Sequence, residues 1–181
     1  MLSYRMKTSL SFTLLFTSLI VLSGCTSKTL SEKFQETAHE HQLDYKTLMA
    51  ICKKESGLQS NVVNVNESIF DFQRGGHYFD YGFTTNLYMD FVLDPLLLNY
   101  DIGLCQINKI HLDRFDVDNE DLLDEETNIE IAARIYKWNL KACRGNVMCA
   151  LSMYNTGVGN SPRGRLYAQK VLHLRREMFG Y

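Results

Sequence analysis

The sequence predicts a mainly all-α domain carrying an irregular, aromatic-rich insert, and three observations lead there. Apolar residues recur at helical spacing in separate stretches before residue 56 and after residue 128. Capping residues (Ser31, Asp44, Asn146) stand before those stretches, and Gly57, Gly157 and Pro162 punctuate their ends. Between Gln59 and Tyr100 the periodicity fails, and nine of the 21 aromatic residues lie between Phe70 and Tyr100.

Taken in order, Ser31 caps a helix through about Leu43 that places Phe34, Ala38 and His41 on one side. Asp44 caps a second helix, Tyr45 to Glu55, whose residues Leu48, Ile51 and Cys52 fall at i, i+3 and i+4. Within the insert, Ile69 to Phe72 and Tyr78 to Tyr81 alternate around Arg74-Gly75-Gly76, the pattern of a small β-hairpin. Leu96-Leu97-Leu98 fits a short helix or an extended stretch equally well. Helical spacing resumes with Ile129, Ala132, Ala133, Tyr136 and Leu140, continues with Val147, Ala150, Leu151 and Tyr154, and closes with Tyr167, Val171, Leu174 and Met178.

The chain has 181 residues, is 45% apolar and 22% charged, and has two prolines and eleven glycines. That composition supports one packed domain and argues against a disordered or fibrous chain. With a net charge of −2 it has no basic field to gather phosphates, so nucleic acid is not an expected partner.

Arg5 and Lys7 precede an uncharged run from Thr8 to Gly24 that ends in small residues, the order of a secretory signal. The run is shorter than the roughly 20 apolar residues of a membrane span and is interrupted by Ser and Thr. Leu22-Ser23-Gly24-Cys25 resembles the lipobox of bacterial lipoproteins, which implies cleavage before Cys25 and acylation of its thiol. The expected organisation is a lipoprotein signal peptide at 1–24, a lipidated tether at 25–30 and a domain at 31–181. Membrane attachment would then come from the lipid, because removing Arg5 and Lys7 from the 19 basic residues takes the net charge from −2 to −4. Thr26, rather than Asp, after the cysteine resembles the outer-membrane pattern of Gram-negative lipoproteins, facing the periplasm.

Export also permits disulfides. Cys143 and Cys149 flank the turn sequence Arg144-Gly145-Asn146 and are expected to bridge; Cys52 and Cys105 fit either a bridge or two buried thiols.

Glu55 is the chemical anomaly, a carboxylate at i+7 on the apolar stripe of the second helix. Burial raises a carboxyl pKa, and the negative pole of the helix dipole acts in the same direction. A protonated acid near neutrality suits the proton donor of glycosidic cleavage. Helix phase alone also allows this last-turn side chain to rotate to solvent.

Other constellations fail. His39 and His41 point to different helix faces, so no zinc hydrolase pattern forms, and no metal or cofactor is expected. Asp116 to Asp121 begins like a calcium loop, but its sixth position is Asp121 and its twelfth Thr127; it reads as a solvated acidic turn. A thiol peptidase built on Cys52 or Cys105 with His111 lacks an activating context.

Glu55-Ser56-Gly57-Leu58, Gly103-Leu104-Cys105-Gln106-Ile107-Asn108 and Tyr154-Asn155-Thr156-Gly157 occur in that order. Together they resemble the three signature blocks of the soluble lytic transglycosylase domain, and Leu123 to Ile129 is similar to that family's Leu-Asp-Pro-x-x-Asn-Ile segment. The resemblance spans about residues 43–171 and is nearest the small members that accompany conjugation and secretion machines. It implies a lysozyme-like fold and cleavage of the β-1,4 bond between N-acetylmuramic acid and N-acetylglucosamine in peptidoglycan strands. Glu55 would be the sole acid/base, and 1,6-anhydromuramoyl ends would be the product. Tyr154 would hydrogen-bond and orient Glu55. Ser56, Gln106, Asn108 and Asn155 would contact sugar or the loop of Glu55.

Two departures stand out. Cys105 replaces the family's usual Met, and Asp101 replaces a common Ser. Asp101 is either a turn former, which its propensity favours, or a second acid able to activate water or touch substrate. The alternatives to a transglycosylase are thus a hydrolytic muramidase and a non-catalytic, glycan-binding scaffold that uses the aromatic insert.

Overall fold

Helix formation begins slightly earlier than expected, because Thr29 rather than Ser31 supplies the cap. Its hydroxyl accepts from the Glu32 amide at 3.3 Å while the Glu32 carboxylate accepts from the Thr29 amide at 2.7 Å, a reciprocal capping box. The computed structural model describes residues 27–68, 77–80 and 97–180. The signal-peptide reading, Cys25, and the segments 69–76 and 81–96 of the expected insert lie outside the described residues.

Helix α1 (Leu30–His41) buries Phe34 and Ala38 and ends on Gln42 in the left-handed region. Helix α2 (Tyr45–Ser56) follows, with Asp44 at its N-cap position. The Asp44 carboxylate accepts from the Thr47 hydroxyl at 2.6 Å and from Arg175 Nε at 2.8 Å, so the residue starts one helix and ties it to another. Gly57 ends α2 with φ of 73°, the left-handed stop that its position predicts.

The described part of the insert is a sheet rather than a lone hairpin. Strands β1 (Val62–Ser68), β2 (His77–Asp80), β3 (Leu97–Ile102) and β4 (Ile107–Asn108) form an antiparallel sheet in the order β2-β1-β3-β4. The partner of β2 is Val62–Ser68, upstream of the alternating run Ile69 to Phe72, and Leu97–Leu98 are extended. Asp101 is paired within β3, opposite Asn64 on one side and Asn108 on the other, so its turn-forming role is overturned. The nearby Gly103 makes the turn.

A 3-10 turn (Lys109–His111) leads directly into the one-turn helix α3 (Leu112–Phe115). The acidic segment after it is a local turn: Asp118 and Asp121 accept from each other's backbone amides at 2.9 and 3.0 Å. Helix α4 (Glu125–Ala142) starts on Asp124, whose carboxylate caps Thr127. Asn146 caps helix α5 (Val147–Thr156), and Ser161 with Pro162 starts helix α6 (Pro162–Phe179). Cys143 is bonded to Cys149 across the α4–α5 turn, and Cys52 is bonded to Cys105.

The apolar stripes meet in two core clusters. One joins α1, α2, the sheet and α4 through Phe34, Leu48, Val63, Ile102, Leu104 and Ile129. The other packs Ile51 of α2 against Tyr136, Leu151, Tyr167 and Val171. Each fully buried Leu, Ile or Phe contributes about 2 kcal/mol, so helix α2, with Leu48, Ile51 and Cys52 all inaccessible, is anchored from both sides. Val147 departs from the expected stripe; it is exposed at the first turn of α5.

Candidate active site

Glu55 occupies the last turn of α2, directly after the stripe that fixes the helix in both clusters, and its side chain is partly buried. It projects into a cleft of about 1040 Å³. Asn64 of β1, strands β3 and β4, the turn at Gln106, Ile110 and His111, α3, α4, the end of α5 and residues of the 157–163 segment that leads into α6 contribute the rest of the lining. Burial raises the Glu55 pKa to about 7, opposed by the Tyr167 hydrogen bond and by Lys54 and assisted by the Asp101 charge.

The hydroxyl that holds this carboxyl belongs to Tyr167 of α6, which donates to Glu55 Oε1 at 2.5 Å. Tyr154, expected in that role, donates instead to the Cys105 carbonyl at 3.1 Å. It still lines the cleft, and its hydroxyl is held neutral by burial and by the nearby Glu55 and Asp101 charges. Tyr167 sits on the predicted stripe of the last helix, where its hydroxyl is a polar group on an otherwise apolar face. A hydroxyl opposite a buried carboxylate is the signal that could have found it.

Removing that hydroxyl gives a defined outcome. Because the bond favours the ionised carboxyl, Tyr167→Phe should move the Glu55 pKa further up and shift the alkaline limb of the pH–rate profile to higher pH. With Glu55 as the acid/base that the resemblance implies, loss of orientation would lower turnover about tenfold or more, measured as activity against pH. An unmoved alkaline limb would show that Tyr167 does not act on Glu55.

Asp101 enters the cleft from β3 and is held there. Asn108 Nδ2 donates to Asp101 Oδ1 at 2.8 Å and to Asn99 Oδ1 at 2.6 Å, while Asn108 Oδ1 accepts from the Ile110 amide at 3.1 Å. The side chain of Asn108, expected to contact substrate, is therefore engaged in fixing a second carboxylate. Gln106, at φ of 52°, donates through Nε2 to the carbonyls of Val62 (3.0 Å) and Gly103 (2.9 Å). These bonds fix the amide so that, among the described residues, its Oε1 is buried with no partner, as is Oδ1 of Asn64. Asn155 lines the cleft half-buried.

Ser56 is buried away from the cleft lining. Its hydroxyl donates to the Leu104 carbonyl at 2.6 Å and accepts from the Gln59 amide at 3.0 Å, which leaves it contacting the loop rather than sugar. The Cys52–Cys105 disulfide reinforces the same junction, three residues before Glu55 and one before Gln106. Asn128, fully buried on α4, completes it: Oδ1 accepts from the Cys105 amide at 2.8 Å, and Nδ2 donates to the carbonyls of Ile102 and Leu122.

The geometry is that of one carboxylic acid, poised to be protonated near neutrality, at the floor of a groove with a second, hydrogen-bonded carboxylate on the opposing strand. Such a pair can donate a proton to a leaving oxygen and stabilise positive charge beside it. The family model described as the transglycosylase SLT domain matches residues 32–172. No curated protein and no solved structure matches the chain.

Proposed function

This chain belongs to the transglycosylase SLT domain family, lytic transglycosylases acting on peptidoglycan, and on that premise we propose that Glu55 is its general acid and base. The observation that supports this most is Glu55 itself: a cleft carboxyl, oriented by Tyr167, with a pKa of about 7. Glu55 protonates the glycosidic oxygen between N-acetylmuramic acid and N-acetylglucosamine, and the bond to C1 breaks with oxocarbenium character at C1. The resulting carboxylate then takes the proton of the muramoyl C6 hydroxyl, whose oxygen bonds to C1. The products are a 1,6-anhydromuramoyl end and a free N-acetylglucosamine hydroxyl, and no water is consumed.

The leader, the lipobox-like tetrapeptide and Cys25 support a lipid-anchored position in the cell envelope. That is the outer membrane facing the periplasm if the source is Gram-negative, with the domain beginning near residue 31. Local opening of the wall for a conjugation or secretion apparatus is the biological use that fits a small enzyme so held.

Asp101 supports a second outcome. It lies on a strand lining the cleft rather than in a turn, and its charge acts on Glu55. A carboxylate there can accept a proton from water and deliver hydroxide to C1, giving the reducing end of a muramidase. Mass spectrometry of released muropeptides separates the two: anhydro ends support the transglycosylase, and reducing ends support hydrolysis. Asp101→Asn should lower the Glu55 pKa by removing a neighbouring charge, moving the alkaline limb of activity to lower pH. If Asp101 activates water, the same variant should lose reducing ends selectively. An unchanged product ratio would remove it from the chemistry.

A further inference from the structure

The wall of the cleft formed by α3 and α4 carries a group that acid/base cleavage does not use. Arg114 of α3 holds its guanidinium 5.0 Å from the Trp138 ring and 5.3 Å from the Phe115 ring. Arg134 covers the Phe115 ring from 4.6 Å. Arg114 and Trp138 both line the cleft that holds Glu55, and the indole, on a helix otherwise packed into the core, is 50% exposed. Leaving so large an aromatic half in water forgoes burial energy, which a cleft recovers only when something occupies it.

Among the described residues, no carboxylate pairs with Arg114. Elsewhere on the surface cations do find acids, as in Lys33 with Glu125 at 3.0 Å and Arg175 with Asp44 at 2.8 Å. Stacking on two aromatic rings restricts the long side chain before any ligand arrives, so less rotamer freedom is lost on binding, and the planar fork suits a carboxylate. In a peptide-bearing strand the lactyl carboxyl of each muramic acid is tied up in the amide bond to its peptide, so the sugars there carry no formal charge. The acids of a peptidoglycan strand lie on the peptides attached to its muramic acid residues.

We propose that Arg114, on its Trp138 platform, is a subsite for a carboxylate of the peptide substituent, so that the cleft selects peptide-bearing strands over bare glycan. This rests on the reading of the cleft as a peptidoglycan site. The strand lies along the groove past Glu55, its sugars cross the Trp138 wall, and a peptide carboxylate accepts the two N–H donors of the guanidinium edge.

Trp138 is the chain's single tryptophan, so its fluorescence reports this wall directly. The test measures binding in the Glu55→Gln background, where nothing turns over. Three probes are compared: soluble peptidoglycan oligomers with intact peptides, the same oligomers stripped of peptide by an amidase with the lactyl carboxylates so freed then capped as methylamides, and oligomers with their peptide carboxylates amidated. Intact oligomers should perturb the emission and bind about ten- to thirtyfold more tightly than the other two. Adding Arg114→Ala should erase that advantage while changing affinity for stripped or amidated strands by less than about twofold; Arg114→Lys should retain part of it. Equal losses on all three probes, no loss on any, or no binding of intact oligomers would overturn the subsite. Failure of the parent protein to release any muropeptide would instead overturn the enzymatic reading, because the binding measurement does not depend on turnover.

Discussion

Glu55→Gln is expected to cut muropeptide release by about a thousandfold or more and, at the same time, to make the folded protein more stable above pH 7. Both effects have one cause. The carboxyl is held in the cleft with a pKa of about 7, against 4.5 for the free side chain, chiefly because burial disfavours its charge. The folded state therefore binds this proton more tightly than the unfolded chain does, and its stability falls as pH rises from 4.5 to 7. Above pH 7 the full difference applies, about 3 kcal/mol from the two pKa values. Glutamine carries no charge at any pH and keeps an acceptor for Tyr167, so the variant escapes that penalty. Denaturant unfolding at about pH 4 and about pH 8.5 checks it: parent and variant should be nearly equal at the lower pH and diverge at the higher. An inactive variant with no such divergence would mean that the acid is not desolvated, and the proton-donor role would lose its physical basis. Coincident stability and activity losses at both pH values would point instead to a packing role.

Helix-level features were legible where one element's own residues decide its fate. The stripe of α2, the stop at Gly57, the N-cap position of Asp44 (though its side chain makes no cap hydrogen bond), the cap at Asn146 and the position of Glu55 follow from spacing and capping chemistry within a dozen residues. What spacing could not supply was the identity of partners far apart in the chain. Tyr154 and Tyr167 both sit on apolar helical stripes, and only the packing of α6 against α2 decides which hydroxyl reaches Glu55. Asp101 is a similar case. Its neighbours Asn99, Tyr100 and Gly103 give weak local signals, and its strand conformation comes from pairing with Asn64, far upstream on β1, and with Asn108. The open question about Cys52 and Cys105 was of the same kind, since 53 positions separate two half-cystines that the fold brings together. The short signature blocks marked where chemistry is concentrated, while several of their polar side chains, Ser56 and Asn108 among them, also hold the site together, Asn108 while lining the cleft.

Gly103→Ala is the second large effect, and a comparison with Gly57→Ala isolates its cause. Both glycines have positive φ, 73° at Gly57 and 77° at Gly103, so each alanine incurs the left-handed backbone cost of about 1 kcal/mol. A Cβ at Gly57 meets nothing within 4 Å, and that cost is all it should show. A Cβ at Gly103 would lie 2.2 Å from the Leu122 carbonyl oxygen and 2.3 Å from Asn128 Nδ2. Those two atoms are hydrogen-bonded to each other at 2.7 Å, and the same Asn128 amide holds the Ile102 carbonyl and the Cys105 amide. The methyl group must therefore break a buried network whose members have no access to water, adding about 2–4 kcal/mol. The total for Gly103→Ala is about 3–5 kcal/mol, against about 1 for Gly57→Ala, read as the difference in unfolding midpoint at a common slope. Activity should fall more than stability alone accounts for, because Gln106 is pinned to the Gly103 carbonyl and Asp101 lies two residues before it. Assaying the surviving folded fraction tests this: muropeptide release per folded molecule should drop for Gly103→Ala and remain near the parent value for Gly57→Ala. If both variants lose the same stability, the close packing of Asn128 against this turn is not what positions the cleft wall.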